Sequence, residues 1–221
     1  MRTRASISGW PARLETETVG TRCLRIYAPA DLESRLDRER LLHDETYAPP
    51  YWALLWSGSR ELARYLDANA DLQGRRALEV GCGLGLVALS AASAGAQVTA
   101  IDRDAAAIEF LRASAALNGV AIEALVGDPT VLGGRRFDAV LAAELLYDRE
   151  GLVDLAAVLV GRIAPGGALW IADAERIDTR AFFAEITRLG LVSLADETRE
   201  VREEGTRVRV RIRGYRLGVT R

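Results

Sequence analysis

The sequence predicts an α/β fold: a mostly parallel sheet with helices on both faces, closed by an antiparallel hairpin. Three observations predict it. From Arg75 onward, short apolar runs alternate with helical stripes, the pattern of βα units wound with right-handed crossovers. The first of these runs, 77–81, passes through glycines at 81, 83 and 85 straight into a helical segment, which reads as a strand, a tight turn and a helix start. The last two runs, 191–197 and 207–217, have no helix between them. They are joined by Glu203-Glu204-Gly205-Thr206, which reads as a hairpin turn.

Composition bounds the answer. A chain of 221 residues, 49% hydrophobic and 27% charged, suits a globular domain with a sizeable core. With 29 basic and 31 acidic residues, net charge −2, no electrostatic grip on nucleic acid or a membrane surface is expected. All of the basic residues are Arg. Two cysteines (Cys23 and Cys82), one His and no C-x-x-C predict neither a disulfide framework nor a metal cluster. The first ten residues are polar, and no run approaches the roughly 18 apolar residues of a membrane span, so a cytoplasmic protein is expected.

In chain order, residues 1–12 read as a loose tail and 13–28 as short extended pieces, the best being Cys23-Leu24-Arg25-Ile26-Tyr27, ended by Pro29. Leu32, Leu36, Leu41 and Leu42 are spaced for a single helical stripe over 31–43, with His43 a surface residue. Residues 1–48 are thus expected to form an N-terminal extension packed on a main domain, 49–221. That domain opens on Pro49-Pro50-Tyr51-Trp52-Ala53-Leu54-Leu55-Trp56, a stiff aromatic run suited to a core cap or a pocket wall, and an amphipathic helix over 57–68. Strands are predicted at 77–81, 97–101, 121–126, 137–142 and 168–173. Helices are predicted at 85–94, 104–117, 150–162 and 178–189. In the final run Val208, Val210 and Ile212 alternate with Arg, as a half-buried strand requires.

The polar residues that stand out fall at strand ends, where ligands sit in open α/β sheets. The glycine loop of Gly81, Gly83 and Gly85 lets a ligand approach the backbone at a helix N-terminus, or forms only a tight turn. Leu86 stands where the dinucleotide fingerprint G-x-G-x-x-G needs its third Gly, which argues against a nicotinamide oxidoreductase. Asp102 either accepts two ribose hydroxyls or caps the next helix, a role Asp104 fills better. Asp128, before Pro129, fits an Asx turn. Glu79 lies inside a strand, where a carboxylate is costly without a partner. Glu144 and Tyr147 end the fourth strand, as a helix-capping acid with a packed ring or as a site pair.

The stretch from Glu79 to Gly85, E-x-G-x-G-x-G, resembles motif I of the class I methyltransferases that use S-adenosylmethionine. The resemblance implies a Rossmann-like seven-stranded sheet with one reversed strand and S-adenosylhomocysteine as product. It implies that Gly81, Cys82, Gly83 and Gly85 hold the methionine end, with Glu79 near its amino group. It places the ribose at Asp102 with Arg103 beside it, and the adenine amino group at Asp128. Ala143 and Trp56 would line the same pocket, Trp56 close to the glycine loop. The segment from Tyr51 to Leu66 is in turn similar to that preceding motif I in protein lysine methyltransferases of the type acting on the electron transfer flavoprotein β-subunit. In that family the fourth strand ends acidic-x-x-aromatic, here Glu144 and Tyr147, with an arm one methylene longer than Asp. This implies a protein acceptor, the flavoprotein β-subunit being a candidate partner, whose lysine Glu144 would orient. No Asn-Pro-Pro-Tyr marks the site as one for a planar amide nitrogen. A small amine or hydroxyl acceptor, and a non-catalytic cofactor-binding protein, are the alternatives.

Overall fold

A computed structural model describes residues 6–44, 47–203 and 205–218. Seven strands form one sheet in the order β6-β5-β4-β7-β8-β10-β9. They are β4 (Arg76–Val80), β5 (Gln97–Asp102), β6 (Ile122–Val126), β7 (Phe137–Ala143), β8 (Ile163–Asp173), β9 (Leu191–Glu203) and β10 (Thr206–Leu217). β4, β5, β6, β7 and β8 pair in parallel, whereas β10 runs antiparallel to both β8 and β9. The predicted mostly parallel sheet, its C-terminal hairpin and its one reversed strand are therefore present.

β4 lies between β5 and β7 and is buried along Ala77, Leu78, Glu79 and Val80, as a central parallel strand covered on both faces must be. Helices α3 (Ser57–Asn69), α4 (Leu86–Ser93) and α5 (Ala105–Asn118) pack into one apolar cluster. Helices α6 (Leu152–Gly161) and α7 (Arg180–Arg188) pack into a second one on the opposite face. Phe110 in the first and Phe182 in the second are fully buried, so truncating either to Ala would cost about 3–5 kcal/mol.

Three local expectations are corrected. The segment expected as a loose tail, so far as it is described, is a short strand β1 (Ser6–Ile7) and the start of β2 (Trp10–Val19). β2 pairs with β3 (Arg22–Pro29) from residue 12 to residue 19 and with β1 at Trp10 and Pro11, and Leu24, Ile26 and Ala28 bury one face of this hairpin in the α5 cluster. Polar groups of α5 pin it: Ser114 Oγ accepts from the Tyr27 amide at 3.0 Å, and Asn118 Nδ2 donates to the Arg25 carbonyl at 2.6 Å. The single helix expected over 31–43 is two pieces, α1 (Leu32–Arg35) and α2 (Arg38–His43). Leu36 is extended between them and Asp37 caps α2 by accepting from the Arg40 amide, so a local cap outcompetes a weak stripe whose Leu41 and Leu42 remain exposed. β8 starts at Ile163 rather than 168, because the Pro165-Gly166-Gly167 stretch is absorbed as an irregularity in the β7–β8 register.

Candidate active site

The cavity that contains the predicted residues begins at the carboxyl end of β4. Gly81, Gly83 and Gly85 all have positive φ, at 66°, 52° and 78°. A Cβ on Gly83 would lie 3.2 Å from the Trp52 carbonyl oxygen, and one on Gly85 would lie 2.3 Å from Leu111 Cδ1. The loop is thus glycine-rich both for its left-handed turns and for close packing. Gly85 begins α4 without a side-chain cap, and Glu79 supplies one from the preceding strand, its Oε2 accepting from the Ala88 amide at 2.7 Å. No arginine pairs with Glu79 among the described residues. Burial pushes its carboxyl up to about 8, against the pull of the Ala88 N–H, and the Asp102 charge adds to the rise. Burial likewise raises the Cys82 thiol, which stays protonated.

Asp102 ends β5 and ties it to the loop. Its Oδ2 accepts from the Gly83 amide at 2.8 Å and its Oδ1 from the Asp104 amide at 3.0 Å. Burial raises its pKa and those two N–H groups oppose the rise. Helix α5 is capped by Asp104, which accepts from the Ala106 amide, so Asp102 is not the cap. Asp128 makes the Asx turn, its Oδ1 accepting from the Thr130 amide at 2.7 Å, and the bonds from Thr130 hold its carboxyl below the usual range.

The facing wall comes from the aromatic run. Tyr51–Ala53 forms a 3-10 turn that buries Trp52. Trp52 packs edge-on against Trp10 of the N-terminal hairpin at 5.3 Å between centroids and tilted against Phe110 at 5.4 Å. Its buried Nε1–H finds no acceptor among the described residues. Trp56 also lines the cavity, but its ring lies against Tyr51 and under Arg176. The backbone of Trp52 comes close to Gly83 of the loop, and Trp56 lines the same cavity.

The end of β7 gathers the largest set of partners from distant segments. Glu144 has a positive φ of 52° and turns inward, its side chain only 8% exposed. Its Oε1 accepts from the Gly58 amide of α3 at 2.9 Å. Its Oε2 accepts from Arg176 Nη1 at 2.6 Å and from the Ala174 amide at 3.3 Å. Burial raises its pKa, and Arg176 is the first of the groups that oppose it. The carboxylate is thus an internal hub that caps α3, one of the two roles the sequence offers for it, and it also lines the cavity. Tyr147 is half exposed, its hydroxyl bonded to Arg103 Nη2 and its ring 5.7 Å from that of Tyr51.

One cavity of about 1160 Å³ gathers these groups. It lies outside the carboxyl ends of β4, β5 and β7, where the strand order reverses, the usual ligand crevice of an open α/β sheet. Each of the predicted residues lines it: Trp56, Glu79, Gly81, Cys82, Gly83, Gly85, Asp102, Arg103, Asp128, Ala143, Glu144 and Tyr147. Trp52 lines it too, as part of the aromatic run suited to a pocket wall, and so do Trp10 and Arg35, to which the sequence gives no site role. Nothing local marks Trp10, or Arg176 and Glu203 behind Glu144. No cluster of three or more metal-ligating side chains occurs among the described residues, and no helix there is long and apolar enough to cross a membrane.

A family model described as "Methyltransferase domain" matches residues 77–167. A protein N-lysine methyltransferase of Xenopus tropicalis is 30% identical over 145 residues, covering 62% of this chain and 67% of that protein. An electron transfer flavoprotein beta subunit lysine methyltransferase of Xenopus laevis is 32% identical, covering 70% of this chain and 65% of that protein. A ubiquinone biosynthesis O-methyltransferase of Methylocella silvestris is 40% identical, covering 52% of this chain and 46% of that protein. The chain thus spans about half to two thirds of the length of these relatives. Among solved structures, the T. thermophilus 16S rRNA N2 G1207 methyltransferase, in complex with AdoMet and guanosine, shares the fold at a TM-score of 0.64 and 17% identity, covering 95% of this chain and 51% of that one. With motif I on β4, the reversed strand β10 and the lysine methyltransferase matches together, the chain belongs to the class I S-adenosylmethionine-dependent methyltransferases.

Proposed function

We propose that this protein transfers a methyl group from S-adenosylmethionine to a lysine side chain of a protein. One observation carries the reading: the Glu79–Gly85 loop and the wall of Glu144, Trp56 and Tyr147 share a single cavity. The residues present fit the cofactor. Trp52 offers an orphaned buried N–H in the wall, and the first turn of α4 offers amides that a helix cannot satisfy itself. Glu79 can neutralise an amino group, and the Asp102 oxygens keep lone pairs beyond their two backbone bonds for hydroxyls. When bound, S-adenosylmethionine supplies an activated methyl group, so positioning by the chain can provide most of the acceleration.

The acceptor amine must first lose a proton, which from an unperturbed pKa of about 10.4 costs roughly 4 kcal/mol near pH 7.4. A carboxylate favours the charged amine, so Glu144 serves to recognise and orient it. Tyr51, Trp56 and Tyr147 desolvate the amine and lower its pKa, and the proton leaves to water. The O-methyltransferase relative supports a second reading, a small hydroxyl acceptor.

Tritiated S-adenosylmethionine incubated with cell lysate, then split into protein and small-molecule fractions, tests both. Label on lysine in the protein fraction is expected, with electron transfer flavoprotein β-subunit the first purified acceptor to try. Label confined to small molecules would overturn the lysine reading. No label, together with no heat on titration with S-adenosylhomocysteine, would overturn methyl transfer itself.

A further inference from the structure

Arg176 lies between β8 and α7, and its side chain is 42% exposed. Its guanidinium is held by groups from three distant segments. Nη1 donates to Glu144 at the end of β7, Nη2 donates to Glu203 at the end of β9 at 2.5 Å, and Cζ sits 5.1 Å from the centroid of the Trp56 ring. Two carboxylates and an aromatic face are the recognition set for an organic cation. Two of the three, Glu144 and Trp56, also line the cavity. Backbone strain brings the parts together: Glu144 and Glu175, the residue before Arg176, both hold φ at 52° without being glycine.

We infer that Arg176 is an internal competitor for the acceptor. Its guanidinium takes the Glu144–Trp56 wall in the resting protein, and an incoming ammonium binds by taking that wall from it. The inference rests on the lysine reading above. A purely structural role, neutralising a buried carboxylate, explains the geometry less well. Helix α3 begins with no side-chain cap of its own, and its Ser57 and Gly58 amides donate to Glu203 Oε1 and Glu144 Oε1. Both carboxylates are thereby held at the positive end of a helix without the guanidinium. Glu144 also accepts from the Ala174 amide. The Arg176 side chain itself is 42% exposed, so water and a second cation can reach it and exchange with it.

The test uses n-butylammonium as a lysine head group, titrated into the protein saturated with S-adenosylhomocysteine and read by tryptophan fluorescence. Arg176→Ala should bind it at least tenfold more tightly than the parent. Glu203→Gln, which loosens the guanidinium but leaves it in place, should fall between them. The response should vanish when Trp56→Phe is added to Arg176→Ala, and n-butanol should give no saturable response. Equal or weaker n-butylammonium affinity in Arg176→Ala would overturn the inference. If that variant does not fold, an unchanged affinity in Glu203→Gln would overturn it. Calorimetry with S-adenosylhomocysteine on the parent keeps the two claims apart. Normal cofactor binding with unchanged alkylammonium affinity removes only the competitor, whereas no cofactor binding removes the methyltransferase reading.

Discussion

Glu79 and Glu144 are both buried carboxylates at the rim of one cavity, and each caps a helix that lacks a cap of its own. Their surroundings differ. Glu79 caps α4 from the adjacent strand, nine residues away in sequence, and has no arginine, so its carboxyl rises to about 8. Glu144 caps α3 from 86 residues away and has the Arg176 guanidinium to oppose the cost of burial. The first carboxyl holds a proton at neutral pH until a cation arrives. The second is already engaged by a guanidinium and two backbone amides. The side proposed for the cofactor is built from backbone amides of consecutive βα turns. The side proposed for the acceptor is built from side chains of four separate segments, joined by ion pairs and ring contacts. A wall of the second kind can change specificity by single substitutions without disturbing the first.

The largest expected effect tests the acceptor side. Glu144→Gln keeps the shape and an oxygen for the Gly58 amide but cannot pair with a cation. Methyl transfer to lysine should fall by about two orders of magnitude, roughly 2.7 kcal/mol of transition-state stabilisation, while S-adenosylhomocysteine affinity changes only a few-fold. Transfer at the parent rate would make Glu144 a helix cap and nothing more.

Glu79→Gln tests the other side through pH. Because the folded pKa of about 8 lies above the unfolded value, the folded chain binds the extra proton. The stability this gives is fully present below the unfolded carboxyl value of about 4.3 and is lost as pH rises through about 8. Thermal melts from pH 5 to 9 should therefore decline less steeply in Glu79→Gln than in the parent. If a ligand amino group meets Glu79, binding of S-adenosylhomocysteine at pH 7 should release a proton, seen by calorimetry in buffers of different ionisation enthalpy. That release should be absent in the variant, whose affinity should fall about tenfold, the equivalent of one charge-assisted bond of about 1.5 kcal/mol. Parallel melting profiles and no proton release would place Glu79 outside the ligand's reach.

The smallest effect belongs to Tyr147→Phe. The ring contact with Tyr51 stays and only the hydroxyl bonded to Arg103 is lost, so transfer should drop no more than a few-fold. A loss as large as that of Glu144→Gln would move the hydroxyl to the reacting amine.

Much of this was legible in the sequence because its causes are local. The apolar run into Gly81, Gly83 and Gly85 marks a strand-turn-helix, Asp102 ends a strand whose period is clear, and Asp128 follows one two residues on. What failed also has local causes. Residues 31–43 were read as one helix because leucine spacing was counted before the Asp37 cap that divides it. Residues 10–12 read as part of a loose tail because what holds them in β2, pairing with β1 and β3 and burial of Ala12 in the α5 cluster, is not visible along the chain.

By itself the sequence determined the parallel sheet, its closing hairpin and the glycine loop at the crevice. Hydrophobic period and glycine placement act over a few residues, and a βα unit leaves little choice of how to wind. Only the tertiary structure decided that the Trp52 backbone comes close to that loop, that Trp10 packs on Trp52, and that Glu144 takes α3 and Arg176 as its partners. Those outcomes follow from competition among buried polar groups for partners contributed by distant segments. An unpartnered carboxylate costs more than a strained φ, so Glu144 takes whichever donors the folded chain brings within reach.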